Sequence, residues 1–127
     1  MRGRAVVGAA FAAVVLAACG SARDAEVRTA ATAFAAAVAD GDGAAACAAL
    51  TPEARRGVQS FGRDCAATIV QLPPAGIVEA VQVWGDSAQV RFAGDVVFLA
   101  ELGDEWRVRA AGCRARPGAP YECAVEG

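Results

Sequence analysis

The chain has 127 residues, with 12 basic and 14 acidic side chains, 56% hydrophobic residues and a mean hydropathy of +0.36. Every basic residue is Arg and there is no His, so the commonest general base and the commonest metal ligand are both missing. A formal net charge of −2, only 6% aromatic residues and no basic patch speak against nucleic-acid binding. The length suits one small domain, and much of the apolar content is alanine, which buries little surface per residue.

In chain order, Arg2 and Arg4 form a positive start, and Ala5 to Ala17 is an apolar run broken only by Gly8. Thirteen residues are too few to cross a bilayer of ~30 Å but match the apolar region of a signal peptide. The run ends in Leu16-Ala17-Ala18-Cys19, which resembles the lipobox of bacterial lipoproteins: an aliphatic residue, two small ones, then cysteine. The expectation is a signal peptide over 1–18, recognised through Leu16, Ala17 and Ala18 and removed. Cys19 would then be the lipidated N-terminus, carrying diacylglyceryl and palmitate-type chains, and 19–23 a short tether. Two or three chains, at ~0.8 kcal/mol per buried methylene, give stable anchoring where one does not. This predicts a domain over 24–127 on the outer face of the cytoplasmic membrane, with about 109 residues left after the cut.

Asp24 is a candidate N-cap, and Val27, Ala31, Phe34 and Val38 recur at helical spacing up to about Ala39. Asp40-Gly41-Asp42-Gly43 begins like a calcium loop but lacks the later ligands and the terminal Glu, so it reads as a turn between helices. Ala44 to Leu50 is a second short helix. Thr51-Pro52-Glu53 supplies the cap and first turn of a third, reaching about Gln59, where Phe61-Gly62 breaks it. Asp64 to Leu72 is a further helical turn or two, and Pro73-Pro74 closes the helical half. The period then changes to two. Strands are expected over Ile77–Trp84, Ser87–Ala93, Val96–Leu102 and Glu105–Gly112, joined by Gly-Asp turns, with a last one over Tyr121–Val125 after a Pro/Gly-rich loop. The class is therefore α+β: helices over about 24–72 packed on one face of an antiparallel sheet of about four or five strands over 77–125.

Four cysteines remain beyond Cys19, an even number in a chain expected to be exported, which reads as two disulfides. Three pairings are possible. Cys47–Cys65 and Cys113–Cys123 are favoured because each lies within one structural half: the first clamps two short helices, the second closes the loop between the last two strands. No C-x₂-C spacing supports zinc or a redox pair, and no metal or cofactor is expected.

Helices followed by a curved sheet resemble the NTF2-like (SnoaL-like) cone fold. The tail Trp106-Arg107-Val108, Gly112-Cys113-Arg114, Pro117-Gly118 and Pro120-Tyr121-Glu122-Cys123 is similar to a family of small actinobacterial lipoproteins with that fold. The resemblance implies an open cone able to hold a small molecule. Enzymes of that fold pair an Asp or His base with a Tyr or second acid in the cavity, and this chain has no His and one Tyr, Tyr121. Strict alternation puts Glu79 on the face of Ile77, Val81 and Val83, making it a polar group that enters the cavity or meets water at a frayed strand end. Asp95 and Asp104 read as turn formers, Trp84 and Trp106 as core or rim packing. Gln89, Arg91, Glu101, Arg107 and Arg109 are expected to make the outer sheet face polar around Val97 and Leu99, giving a monomer or weak dimer. The functional expectation is a non-catalytic binding or accessory module whose partner is a small apolar ligand or an envelope protein. The alternatives are a structural or protein-interaction lipoprotein with a filled core and, behind it, an isomerase- or cyclase-like enzyme.

Overall fold

Long alanine runs favour helix wherever they occur, and one Gly within such a run costs only about 1 kcal/mol. The first helix, α1 (Ala12–Ala39), accordingly runs unbroken through Gly20-Ser21-Ala22 in the uncut chain. That stretch is helical backbone in the uncut chain, and Asp24 lies inside the helix and does not cap it. The computed structural model describes residues 12–127, with side chains from Ala22 onward. Arg2 and Arg4 lie outside the described residues, as do the side chains of Leu16, Ala17, Ala18 and Cys19. Among the described residues, no helix is long and apolar enough to cross a membrane.

The expected stripe of α1 is buried: Val27, Ala31, Phe34 and Val38 all belong to the core. Three short helices follow, each started by a side-chain cap that satisfies an orphan N–H. Helix α2 (Gly43–Ala48) is capped by Asp42, whose carboxylate accepts from the Ala45 N–H at 3.1 Å. Helix α3 (Pro52–Gln59) is capped by Thr51, a buried residue whose Oγ1 accepts from the Ala54 N–H at 3.1 Å. Helix α4 (Cys65–Ile69) is capped by Asp64, which accepts from the Ala67 N–H at 2.9 Å. It stops short of Leu72. Between α3 and α4 a 3₁₀ turn over Ser60–Gly62 holds Phe61 at φ 62° with its ring 98% exposed.

The sheet is a five-stranded antiparallel meander in the order β1 (Val78–Trp84), β2 (Ser87–Phe92), β3 (Val96–Leu102), β4 (Glu105–Arg116), β5 (Ala119–Glu126). Helix α1 lies across β1 to β4, while α3 packs on β5. Strand β4 runs four residues beyond the expected end at Gly112, and β5 starts two before Tyr121. The Pro/Gly loop thus shrinks to a tight turn at Pro117-Gly118. The part of β4 that β5 leaves bare is covered by Leu50, which forms an isolated parallel bridge to Val108. Thr51 N–H donates to the Val108 carbonyl and Val108 N–H to the Ala49 carbonyl, both at 2.8 Å.

Val97 and Leu99, expected on the outer face, are core residues. The reason is register: Val97 pairs with Val90 and Leu99 with Ala88, two residues that face inward, and directly paired residues share a face. The outer face of β3 instead presents Phe98, which meets Tyr121 edge to face at 5.3 Å between ring centroids.

Both disulfides form, Cys47–Cys65 joining α2 to α4 and Cys113–Cys123 linking directly paired residues of β4 and β5. The first is matched by a close backbone approach at buried Gly43, where a Cβ would collide with the Ala66 carbonyl. Gly43→Ala is therefore expected to destabilise the domain by about 1–3 kcal/mol through overpacking, read as a fall of several degrees in Tm with both disulfides intact. Reducing and alkylating the disulfides should cost more, on the order of 3 kcal/mol for each loop, with urea unfolding as the check.

Candidate functional site

A cone that carried a ligand would need open space between α1 and the sheet. Apart from an open groove at one end of the sheet, that space is filled. Val27, Phe34, Leu50, Ile69, Val90, Val97, Leu99 and Val108 are packed into one cluster, and the remaining gap beside Phe34, Val38, Leu72 and Val97 holds about 10 Å³. This is room for one water molecule at most.

Glu79 does not enter the interior. A β-bulge breaks the alternation between Val78 and Ala80, so Val78 joins Val81 and Val83 on the face packed against the core. Glu79 is turned out to solvent, 3.7 Å from the Arg91 guanidinium. An exposed pair of this kind contributes little. Glu79→Gln should therefore shift stability by less than about 0.5 kcal/mol in a urea titration.

Asp95 does more than form a turn. Its Oδ1 accepts from the N–H groups of Val96 (2.7 Å) and Cys113 (2.9 Å), and its Oδ2 accepts from the Gly112 N–H (3.0 Å). The carboxylate therefore ties the β2–β3 hairpin to the point in β4 where Gly112 adopts φ 66° beside the second disulfide. Gly suits this place because a side chain would be strained at that φ and would press on Leu72 and Ala124. Nothing local in the sequence marks the contact, since the partners lie 17 and 18 residues away. Asp95→Ala leaves three N–H groups without their charged acceptor and is expected to cost about 2 kcal/mol. Loss of exchange protection at the Gly112 and Cys113 amides would check it.

An open groove of about 590 Å³ lies at the end of the sheet that carries the β3–β4 turn. Its floor is apolar, from Ala30, Ala49 and Trp106, and its rim is acidic, from Glu26, Asp104 and Glu105. Trp106 is 9% exposed, and its indole Nε1 is buried without a hydrogen-bond partner. The Arg23 guanidinium stands 5.5 Å from the centroid of that ring, donates to the Gly85 carbonyl and lies 3.3 Å from Glu101 Oε1. Arg107 closes the other side, 2.7 Å from Glu105 and donating to the Ala48 carbonyl at 3.1 Å. Trp106 thus packs as expected, whereas Trp84 stands 54% exposed at the end of β1. Of the charged groups that line the groove, Glu105 and Arg107 form an ion pair, and among the described residues no hydroxyl or thiol there is hydrogen-bonded to a base. Among the described residues, no group of three or more Cys, Asp or Glu side chains is placed to hold a metal ion. Comparison with protein-family models, curated proteins and solved structures gives no match for this chain.

Proposed function

We propose that this chain is a lipid-anchored extracytoplasmic lipoprotein of NTF2-like architecture that acts by surface contact, as a non-catalytic accessory or protein-interaction domain. The anchoring reading rests on the order Arg2 and Arg4, apolar run, Leu16-Ala17-Ala18-Cys19, followed by a domain with two disulfides, which suit an oxidising compartment. The observation that carries the interaction reading is the packed interior: the gap beside Phe34, Val38, Leu72 and Val97 holds about 10 Å³. The groove of about 590 Å³ at the β3–β4 end is open surface, which suits contact with a partner better than enclosure of a small molecule. The lack of a convergent acid–base or nucleophile set in the groove favours a domain without catalysis over the isomerase- or cyclase-like alternative.

Removal of residues 1–18 fits the fold. The shortened α1 would begin within a turn of Arg23, with Asp24 and Glu26 in its opening turns, where acidic side chains favour the helix dipole. Among the residues whose side chains are described, the buried stripe of α1 starts at Val27, downstream of the cut.

Two measurements test the proposal. Phase partition with detergent should place the wild-type chain in the detergent phase and Cys19→Ala in the aqueous phase; a wild-type chain that stays aqueous overturns the anchor. Native mass spectrometry of the folded domain should show a species without adducts, four hydrogens lighter than the reduced chain. A stoichiometric small-molecule adduct would restore the ligand-carrier reading.

A further inference from the structure

Antiparallel pairing places the β1–β2 turn and the β3–β4 turn at the same end of the sheet. Arg23 is fastened to both, donating to the Gly85 carbonyl in the first and pairing with Glu101 at the start of the second. Two of the exposed large apolar side chains of the domain, Trp84 (54%) and Leu102 (43%), stand at this end. Cys19 precedes Arg23 by four residues. That separation is about 6 Å if helical, as in the uncut chain, and at most about 14 Å if fully extended.

We propose that this end of the sheet lies against the bilayer, with Trp84 and Leu102 in the headgroup region. The inference rests on the lipid anchor at Cys19 and adds to it an orientation. With the four-residue link helical, as in the uncut chain, its ~6 Å length does not exceed the roughly 5–8 Å headgroup layer, so the two turns are held at headgroup depth. Trp is the side chain best suited to that depth, with an apolar ring and one polar N–H. The attraction is not one of charge: Asp86 and Asp104 stand in the two turns, while Arg23 is already paired. The occupant is thus a phospholipid surface engaged through the anchor and apolar contact, and the groove floored by Trp106 opens close to it.

The test uses the full chain made in a host that processes lipoproteins, with the lipid on Cys19 verified by mass spectrometry. The protein is reconstituted in phosphatidylcholine vesicles containing a lipid with a quencher near the headgroup. The expected result is loss of most of the Trp84 fluorescence, taken as the difference between wild type and Trp84→Phe; buried Trp106 supplies the remainder. Leu102→Glu should weaken the quenching, and the Cys19→Ala chain mixed with the same vesicles should show none. A lipidated, vesicle-bound chain whose Trp84 is unquenched by lipid and open to acrylamide overturns the orientation and leaves the anchor standing. Trp84 shielded from both quenchers also overturns it, by showing a second copy or another protein on this end. A Cys19 without lipid and a chain that does not bind vesicles overturns the anchor and the orientation together.

Discussion

Alanine sets the interior of this domain. A helix approaches a sheet as closely as the side chains between them allow, and the buried line of α1 includes Ala31 between the larger Val27, Phe34 and Val38. Ala46 and Ala54 are likewise buried on α2 and α3, and Gly43 brings α2 onto the backbone of α4. Small residues draw the layers together and close the space beside Phe34 and Val97 to about 10 Å³. The same residues remove little apolar surface from water, so the short helices gain little from burial alone. The Cys47–Cys65 bridge compensates by tying α2 to α4, which constrains the unfolded chain and fixes the two shortest helices to each other.

The features legible in the sequence are those that act over one or two turns of chain. Thr51 caps the helix that follows it, as the Thr-Pro-Glu run predicts, because the capping oxygen and the N–H it meets are three residues apart; Asp42 and Asp64 cap theirs by the same spacing. Period-two runs separated by Gly-Asp turns mark the first four strands, and the disulfide pairing follows from keeping each bridge within one half. The errors have one physical origin: contacts that alternation and local turn chemistry do not encode. A bulge at Glu79 reverses the parity of β1. A second irregularity, between the Phe98 and Leu99 pairs, shifts β4, where Ala110 pairs with Phe98 and Val108 with Leu99. Val97 and Leu99 are placed by the strand beside them, and β3 alone, apolar on both faces, does not reveal which face is buried. The role of Asp95 depends on amides that only the folded sheet brings near.

The resemblance to the NTF2-like cone rests on element order, and helices followed by an antiparallel meander are indeed what the chain forms. Element order does not fix cavity volume. That quantity depends on how far the helices stand from the sheet and on which side chains fill the gap, so a domain can keep the arrangement of a ligand-holding cone and have no room for a ligand. Here the gap is closed by Leu50 from the segment between α2 and α3, by Ile69 from α4 and by Leu99 from the central strand, all essentially inaccessible. What the domain offers a partner is therefore on its outside.

Arg23 shows how that outside is organised. It belongs to α1, yet its contacts are with the β1–β2 turn, with Glu101 and with the ring of Trp106, so one side chain fixes the start of the buried helix to an end of the sheet. An exposed Arg–Glu pair alone would be worth little. Here the guanidinium also faces an aromatic ring and a backbone carbonyl, and its aliphatic stem is partly covered, so the cluster holds a geometry more than it supplies stability. The arrangement at Arg23 thus holds the start of the buried stretch of α1 in a fixed relation to the rest of the surface, including Phe61 and the Phe98–Tyr121 pair on parts of the domain built from other strands and helices.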